Sequence, residues 1–560
     1  MLRTFQTHHI RPQTELTCLW SFTPEGGAQK GRSMAVAVPS CWETYPGFAG
    51  YRGEALYETS FRGKGNLRVV CKGVSHTADV LVDGTQIAHH YNAYTPFSGI
   101  YRNAQDGEHR LQVRVTNAFS EDSALHIPND YMSYGGITRP VAVEEVPDTY
   151  LEWVHATPVR EGEGWLLRIE ALVRNIGDET HTVSLKTHIA GQCLALPSRS
   201  IPPAGEGIFT GEMRMKHVAD YSPESPTLYL LNTLLYLDEE EKPADDLIER
   251  VGFRTIAVSG SDILLNGRPL RIKGFCRHED HPHFGCALPF QALDQDINIM
   301  RDLGANAVRT SHYPNDELFL DLCDEKGLLV WEENHARGLD EKRMRNPNFR
   351  RQCEDCIREM VTEHYNHPAI IIWGILNECA SDTDYGRACY AEQFAQIKSM
   401  DSSRPTSFAS FQFFKDISLG LPDIVSYNIY PEWYHETPAA EYLDSLYDWV
   451  QKNTEGAGKP FLISEIGAGG IYGTRSETCC KWSEERQAEI LEHQVQAVLQ
   501  KEGCSGIFIW QYCDVRVSDE WFAVRPRTMN NKGMVDEYRR RKLSYKVVKA
   551  LLTEQENYFL

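Results

Sequence analysis

No apolar run in these 560 residues approaches the roughly 18 needed to cross a bilayer, and residues 369–376 are about the longest. Transmembrane helices are therefore excluded. The opening MLRTFQTHHI lacks the apolar stretch of a secretory signal, so a cytoplasmic protein is expected. Positive charge is scarce: 57 Lys and Arg stand against 78 Asp and Glu, a net charge of −21. Such a body repels phosphate, which argues against nucleic acid and anionic membranes as partners. An anionic ligand would need a local cluster of cations. There is no cysteine framework either. The 15 cysteines are odd in number and scattered, as free thiols in a reducing compartment would be. Cys353 and Cys356 form a single CxxC with no second pair or His pair at zinc spacing, and read as positions one helical turn apart. No GxSxG, no Walker GxxxxGK[ST] and no Rossmann fingerprint is present, so serine-hydrolase, NTPase and dehydrogenase readings have no support.

What remains is ordinary folded protein, 42% hydrophobic and 24% charged. Up to about residue 255 the chain carries short alternating segments at 67–71, 78–82 and 111–115, then at 151–154, 165–173, 182–189, 207–213 and 228–237. Gly, Pro, Asn and Asp punctuate them, for example Asp83-Gly84. These are signals of antiparallel β-sandwiches, with a seam at 144–149 around Pro147. After residue 258 the rhythm changes. Apolar strand candidates at 270–275, 307–310, 328–332, 370–376, 406–410, 424–429, 461–465 and 506–511 alternate with helical stretches such as 291–303, 348–363, 385–400 and 483–501. Eight β–α units predict a (β/α)8 barrel. The expected domains are 1–147, 148–257 and 258–560.

A barrel carries its chemistry at the C-terminal ends of its strands. Glu378 and Glu465 each end a strongly apolar strand, IIWGILNE and FLISE, where an unpaired carboxylate is costly. Strands four and seven are not neighbours, so the two acids face each other across the mouth. Glycoside hydrolysis needs such a pair: one acid protonates the leaving oxygen while the other attacks or activates water. Mutual repulsion is expected to raise one pKa and keep that group protonated near neutral pH. The alternative for either Glu alone is a helix cap or an Arg partner.

Five stretches carry a family resemblance: GGITRPV (135–141), KGFCRHED (273–280), GANAVRTSHYP (304–314), NHPAIIIWGILNE (366–378) and KPFLISE (459–465). The chain resembles glycoside hydrolase family 2, from about residue 10 to 550. The resemblance implies a jelly-roll-like, sugar-binding-like β-sandwich, an immunoglobulin-like sandwich and a catalytic TIM barrel. It further implies that Glu378 is the acid/base, that Glu465 is the nucleophile and that Asn377 bonds the sugar 2-hydroxyl. Cys379 stands where many members carry Pro, and a local change in turn rigidity is expected there. A homo-oligomer, tetramer or dimer, is also implied.

The segment Met529-Asn530-Asn531-Lys532-Gly533 resembles the Asn-x-Lys signature with which β-glucuronidases of the family grip the sugar carboxylate. Asn530 and Lys532 are thus substrate-binding candidates, with Arg525 and Arg527 completing a cation cluster. The resemblance also places Asp130, Tyr430 and Tyr434 near the sugar. Asp130 is expected to accept from a ring hydroxyl, and Tyr434 to donate to a ring or nucleophile oxygen. Arg309 is expected to pair with Glu465 or to serve as a barrel-core ion pair. His312 is expected to line the pocket or orient a carboxylate, and Trp510 to floor it.

Related β-glucuronidases usually carry a small or apolar residue at the position of Arg337. A guanidinium there would reach the carboxylate or an axial 4-hydroxyl, the one centre separating galacturonic from glucuronic acid. The alternative is a pair with Glu332 or Glu333. The expected substrates are therefore terminal β-D-galacturonides and glucuronides, cleaved with retention and without a cofactor. β-Galactosidase is the alternative within the family, and a non-catalytic carbohydrate-binding protein the alternative outside it. The run from Arg277 to His283 is rich in ligand-type residues, but His278 and His281 do not match HExxH, and no metal site is assigned. The short, early-helical stretch 338–367 suggests an open mouth.

Overall fold

The computed structural model describes residues 1–554. The N-terminal unit is built on an eight-stranded antiparallel sheet dominated by two long paired strands, Glu54–Cys71 and Phe97–Thr116. Sequence signals at 67–71 and 111–115 mark only one end of each. Gly63 and Gly65 sit at register shifts inside the ladder, where the strands bend without ending. Asp83 and Gly84, both with positive φ, form the two-residue turn expected between Thr77–Val82 and Thr85–Tyr91. The sheet curls over a core of Trp20, Phe22, Trp42, Tyr57 and Val69.

Next come a three-stranded and a four-stranded sheet that share one core, including Leu151, Leu167, Ile169, Leu185, Phe209 and Leu231. Two of their strands, Gln192–Ile201 and Asp245–Val251, left no clear sequence signal. The second carries Asp245 and Asp246, both fully buried. Asp245 Oδ2 lies 2.6 Å from Arg11 Nη2, while Arg11 Nη1 lies 2.9 Å from Glu144. Buried charge of this kind persists only when paired, and the pairing ties the two sheet units together.

The remainder is a closed parallel barrel. Its strands are β1 (Ile272–Cys276), β2 (Ala307–Arg309), β3 (Leu329–Glu333), β4 (Ile370–Ile375), β5 (Thr406–Ser410), β6 (Ile424–Asn428), β7 (Phe461–Ile466) and β8 (Cys504–Ile509). Each overlaps its expected segment, because strands buried on both faces read as continuous apolar runs. The helices are α1 (Phe290–Asp302), α2 (Glu317–Lys326), α3 (Glu341–Met344), α4 (Phe349–His364), α5 (Asp384–Met400), α6 (Ala439–Asn453), α7 (Glu484–Gln500) and α8 (Leu543–Thr553). One expectation fails: β5 and β6 are joined by a loop, 411–423, with no helix. Phe414 in the left-handed region, Gly420 and Pro422 break any helical run there. Ile272, Leu329, Trp331, Ile372, Leu462 and Phe508 belong to the core cluster that the hairpin residues Ile256, Ile263 and Leu265 join.

The first unit also reaches the barrel. Arg139 of the GGITR loop donates to Glu279 (2.9 Å) and to the Pro314 carbonyl (2.7 Å). Asn129 is stitched to the loop after β8, donating from its backbone N to Ser518 Oγ at 3.0 Å and accepting from that hydroxyl at 2.5 Å. That contact fixes Asp130 at the barrel mouth. All 15 cysteines are free, and Cys353 and Cys356 are buried one turn apart on α4. No helix among the described residues is long and apolar enough to cross a membrane.

Candidate active site

Glu378 lies just past β4 in the left-handed region, at φ 53°. For a non-glycine residue that conformation costs on the order of 1 kcal/mol or more, so neighbours must impose it. Here they do. The Glu378 backbone N donates to the Ala409 carbonyl on β5 (3.0 Å), and Asn377 exchanges backbone bonds with Ala336 (2.9 Å) and Gly338 (2.8 Å) after β3. Asn428 Nδ2, at the end of β6, donates 3.0 Å to Glu378 Oε1 and 3.0 Å to Asn377 Oδ1.

Glu465 is buried in β7. Arg309 Nη1 donates to its Oε1 at 2.9 Å, and the Tyr430 hydroxyl donates to its Oε2 at 2.6 Å. Arg309 also forks onto Glu333 with two 2.9 Å bonds and reaches Asn377 Oδ1 at 2.8 Å. Both alternatives read for Arg309 therefore hold at once: it is a core ion pair and the partner of Glu465. His312 Nδ1 lies 2.8 Å from Glu333 Oε1, and its ring stacks on Trp510 at 5.2 Å. Burial, Arg309 and Arg337 hold His312 well below the usual imidazole range, so it is neutral. Asn377 Nδ2 is buried without a protein partner, which leaves an amide donor for a ligand.

The pKa rise expected for one member of the pair is found on Glu465. Burial pushes the Glu465 carboxyl up to about 8, and the Glu378 charge adds to the rise. Arg309 and Tyr430 oppose it, but Arg309 divides its charge between Glu465 and Glu333. The tyrosine that donates to Glu465 is Tyr430, while Tyr434, expected to donate to a ring or nucleophile oxygen, lies 2.9 Å from the Lys532 ammonium. Removing a donor to the charged form raises the pKa further, and the nucleophile role expected of Glu465 needs that charged form. Tyr430→Phe is therefore expected to move the acid limb of the kcat/KM profile to higher pH. The maximum should fall by about 10- to 100-fold, the range for a hydrogen bond to a charged group. A profile superimposable on that of the unaltered enzyme contradicts this.

Opposite the carboxylates sits a cationic cluster. Lys532 is buried, its ammonium 2.9 Å from the Tyr434 hydroxyl and over the rings of Tyr434, Tyr430 and Trp433 at 5.1, 5.5 and 5.8 Å. Among the described residues no carboxylate lies within salt-bridge distance of it. Burial lowers its pKa, with Arg525 adding to the fall and Tyr434 opposing it. Lys542 and Asp514, both fully buried and 2.7 Å apart, brace this loop: Lys542 also donates to the Asn531 carbonyl (3.2 Å), and Asp514 accepts from the Gly533 N (2.8 Å).

Asp130 is the hub of the cluster. It lies 3.2 Å from Arg337 and 2.8 Å from Arg525, and it accepts from Asn530 Nδ2 at 3.2 Å. Burial raises its pKa, but Arg337, Arg525 and Lys532 outweigh this and hold it well below the carboxylate range. Its Oδ2 is thus taken by Arg525 and Asn530, while Oδ1, 3.2 Å from Arg337, has no hydrogen-bond partner and is left for the ring hydroxyl expected there. Arg337 does not pair with Glu332 or Glu333. It bridges Asp130, Asn129 Oδ1 (3.2 Å) and Glu378 Oε2 (3.4 Å). The physical reason is that its rivals are already satisfied: Glu332 by His364 at 3.0 Å, and Glu333 by Arg309 and His312. Arg527 leaves the expected cluster and pairs with Glu537.

All twelve sequence-predicted residues thus belong to one network at the barrel mouth, joined by Asn428, Glu333, Asn129 and Arg525. Asn129 and Lys542 were missed, because their contacts span hundreds of residues or lie outside any motif. In the ligand-rich run Arg277–His283, Arg277 pairs with Asp296, Glu279 with Arg139, and Asp280 accepts from Tyr134. Among the described residues, Asp321, Asp324 and His367 form a three-ligand grouping of metal-binding type, but Arg3, Arg250 and an internal His367–Asp324 contact already occupy it. A cavity of about 700 Å³ opens between the sheet units and α4, away from the carboxylates.

A family profile described as "Glycosyl hydrolases family 2, TIM barrel domain" matches residues 256–554. The chain is 26% identical to the β-glucuronidase of Sus scrofa over 571 residues, covering 91% of this chain and 86% of that protein. It is similar at 56% identity and a TM-score of 0.97 to the crystal structure of a GH2 β-galacturonidase from Eisenbergiella tayi bound to galacturonate, with 100% of both chains covered. A Bacteroides uniformis β-glucuronidase covalently bound to cyclophellitol-6-carboxylate aziridine is 25% identical, with a TM-score of 0.84 over 98% of this chain and 70% of that one.

Proposed function

The chain belongs to family 2 of the glycosyl hydrolases, and from that premise we propose that it is a retaining exo-β-D-hexuronidase that favours β-D-galacturonides over β-D-glucuronides. The observation that carries the reading is the buried Lys532 ammonium, which lies against a phenol and aromatic rings and, among the described residues, has no carboxylate within salt-bridge distance. Beside it Arg337 and Arg525 converge on Asp130, a local cation cluster of the kind an anionic sugar needs in an otherwise acidic chain.

In this reading Glu465 attacks the anomeric carbon while Glu378 delivers its proton to the glycosidic oxygen, and the aglycone leaves as an alcohol or phenol. Glu378, now a carboxylate, takes a proton from water, whose oxygen displaces Glu465 from the anomeric carbon. Two inversions give net retention. Asn377 Nδ2 donates to the 2-hydroxyl, and Trp510 with His312 lies under the ring. Lys532, beside Asn530, meets the carboxylate. Arg337, free at Nε, meets the axial 4-hydroxyl of a galacturonide. The preference for galacturonides is in keeping with the full-length similarity to a β-galacturonidase. The reading includes the cytoplasm, supported by fifteen free thiols, and a homo-oligomer, supported by the family resemblance alone.

Proton NMR of the first-formed sugar tests the stereochemistry, and the β-anomer is expected. Arg337→Ala tests the preference. The ratio of galacturonide to glucuronide kcat/KM should fall by about tenfold or more, the worth of one charge-assisted bond. An unchanged ratio removes Arg337 from the discrimination.

A further inference from the structure

The helix-free connection between β5 and β6 exposes three large apolar side chains within seven residues: Phe411 (44%), Phe414 (44%) and Ile417 (41%). A cluster of exposed apolar side chains on a soluble surface marks a contact site more often than chance. This loop is also rigidly held. Asp416 Oδ2 accepts from Ser410 Oγ and Ser381 Oγ, both at 2.5 Å, and its Oδ1 accepts from the Ser418 N at 2.7 Å. Ser418 Oγ donates to the Ser381 carbonyl at 2.7 Å, and Gln412 Nε2 reaches the Cys379 carbonyl at 3.4 Å. Cys379 follows Glu378 directly and Ser381 lies two residues further on, and the Glu378 N is itself bonded to Ala409. The loop and the segment carrying Glu378 therefore form one ledge.

On that ledge the aromatics divide their work. Phe413 turns inward onto Tyr427 (6.1 Å) and Tyr442 (5.7 Å), and Phe414 leans on Tyr442 and Trp449 of α6. Phe411 stands edge-on against Phe413 at 4.9 Å, supported on that side and open to solvent elsewhere. A general acid must lie on the leaving-group side of the scissile bond, because it protonates the leaving oxygen. The departing group is then released toward this ledge.

Resting on the hexuronidase reading, we propose that Phe411 is the platform of a leaving-group subsite, taking the flat apolar face of the ring bonded to the scissile oxygen. The ligand class is an arene or the apolar face of a second pyranose. Aromatic and pyranose faces recover burial against Phe411, whereas a methyl group is too small to do so.

The test compares Phe411→Ala with the unaltered enzyme on 4-nitrophenyl β-galacturonide, a β-galacturonosyl disaccharide and methyl β-galacturonide. Taking each substrate as a ratio of variant to parent cancels leaving-group reactivity. The expected result is a loss of about fivefold in kcat/KM on the ring-bearing substrates, the worth of one aromatic contact, with methyl galacturonide and inhibition by free galacturonate unchanged. Loss on the aryl substrate alone assigns the platform to arenes, and loss on both assigns it to rings in general. Phe411→Trp should retain the parent ratios. Equal losses on all three substrates, or no loss on either ring-bearing one, overturn the proposal. If the parent enzyme cleaves no uronide, the hexuronidase reading fails, and the same aryl-to-methyl comparison on the sugar it does cleave still decides Phe411.

Discussion

Glu465→Gln is expected to lower turnover of a β-uronide by a factor on the order of 10⁴–10⁶, the scale for loss of an essential nucleophile. The substitution keeps the shape of the side chain and removes its charge. Arg309 then keeps Glu333 as a partner, so the fold should persist while the attacking carboxylate becomes a poorly nucleophilic amide. Azide separates the two carboxylates by their roles. In Glu465→Ala it enters the space of the nucleophile and expels the aglycone in one inversion, giving the α-glycosyl azide. In Glu378→Ala it attacks the glycosyl-enzyme and gives the β-glycosyl azide. A β-azide from the Glu465 variant would reverse the assignment. The aryl substrate matters here, because a phenolate leaves without protonation and so keeps the Glu378 variant measurable.

Lys532→Met is expected to reduce kcat/KM on a uronide by about 10²–10⁴, since breaking one partner of a buried ion pair costs roughly 3–5 kcal/mol. The neutral aryl β-galactoside should change far less, because it presents no carboxylate to strand. Methionine preserves the packing against Tyr430, Trp433 and Tyr434. Equal losses on uronide and galactoside would mean that Lys532 supports the loop and does not read the sugar.

The barrel was legible in the sequence because strands covered on both faces leave continuous apolar runs, and seven of the eight β–α units carry helices with their own periodicity. The β5–β6 connection was not legible, since a helix-free loop is defined by what breaks a helix and not by a pattern. The long strands Glu54–Cys71 and Phe97–Thr116 were seen in fragments, because glycine at a register shift resembles glycine at a turn. In the site, Glu378, Glu465, Asn377 and Lys532 stood out through their places at strand ends or in a motif. Their partners followed a different logic. Arg337 could have chosen Glu332 or Glu333 next to it in sequence, yet it bridges Asp130 from another unit and Glu378 from another strand. Asn129 is pinned by Ser518, 389 residues away. Such choices depend on which carboxylates are already satisfied, and that is settled only in three dimensions. The same holds for Glu465, whose raised pKa comes first from burial and only then from the charge of Glu378.

Initial rates on three aryl β-glycosides, a galacturonide, a glucuronide and a galactoside, with Glu465→Gln as the blank, test the central claim most directly. The account predicts that the galacturonide is cleaved fastest, the glucuronide more slowly and the galactoside least. Preferential turnover of the galactoside would contradict it, and would mean that Lys532 and Arg337 do not read an anionic sugar.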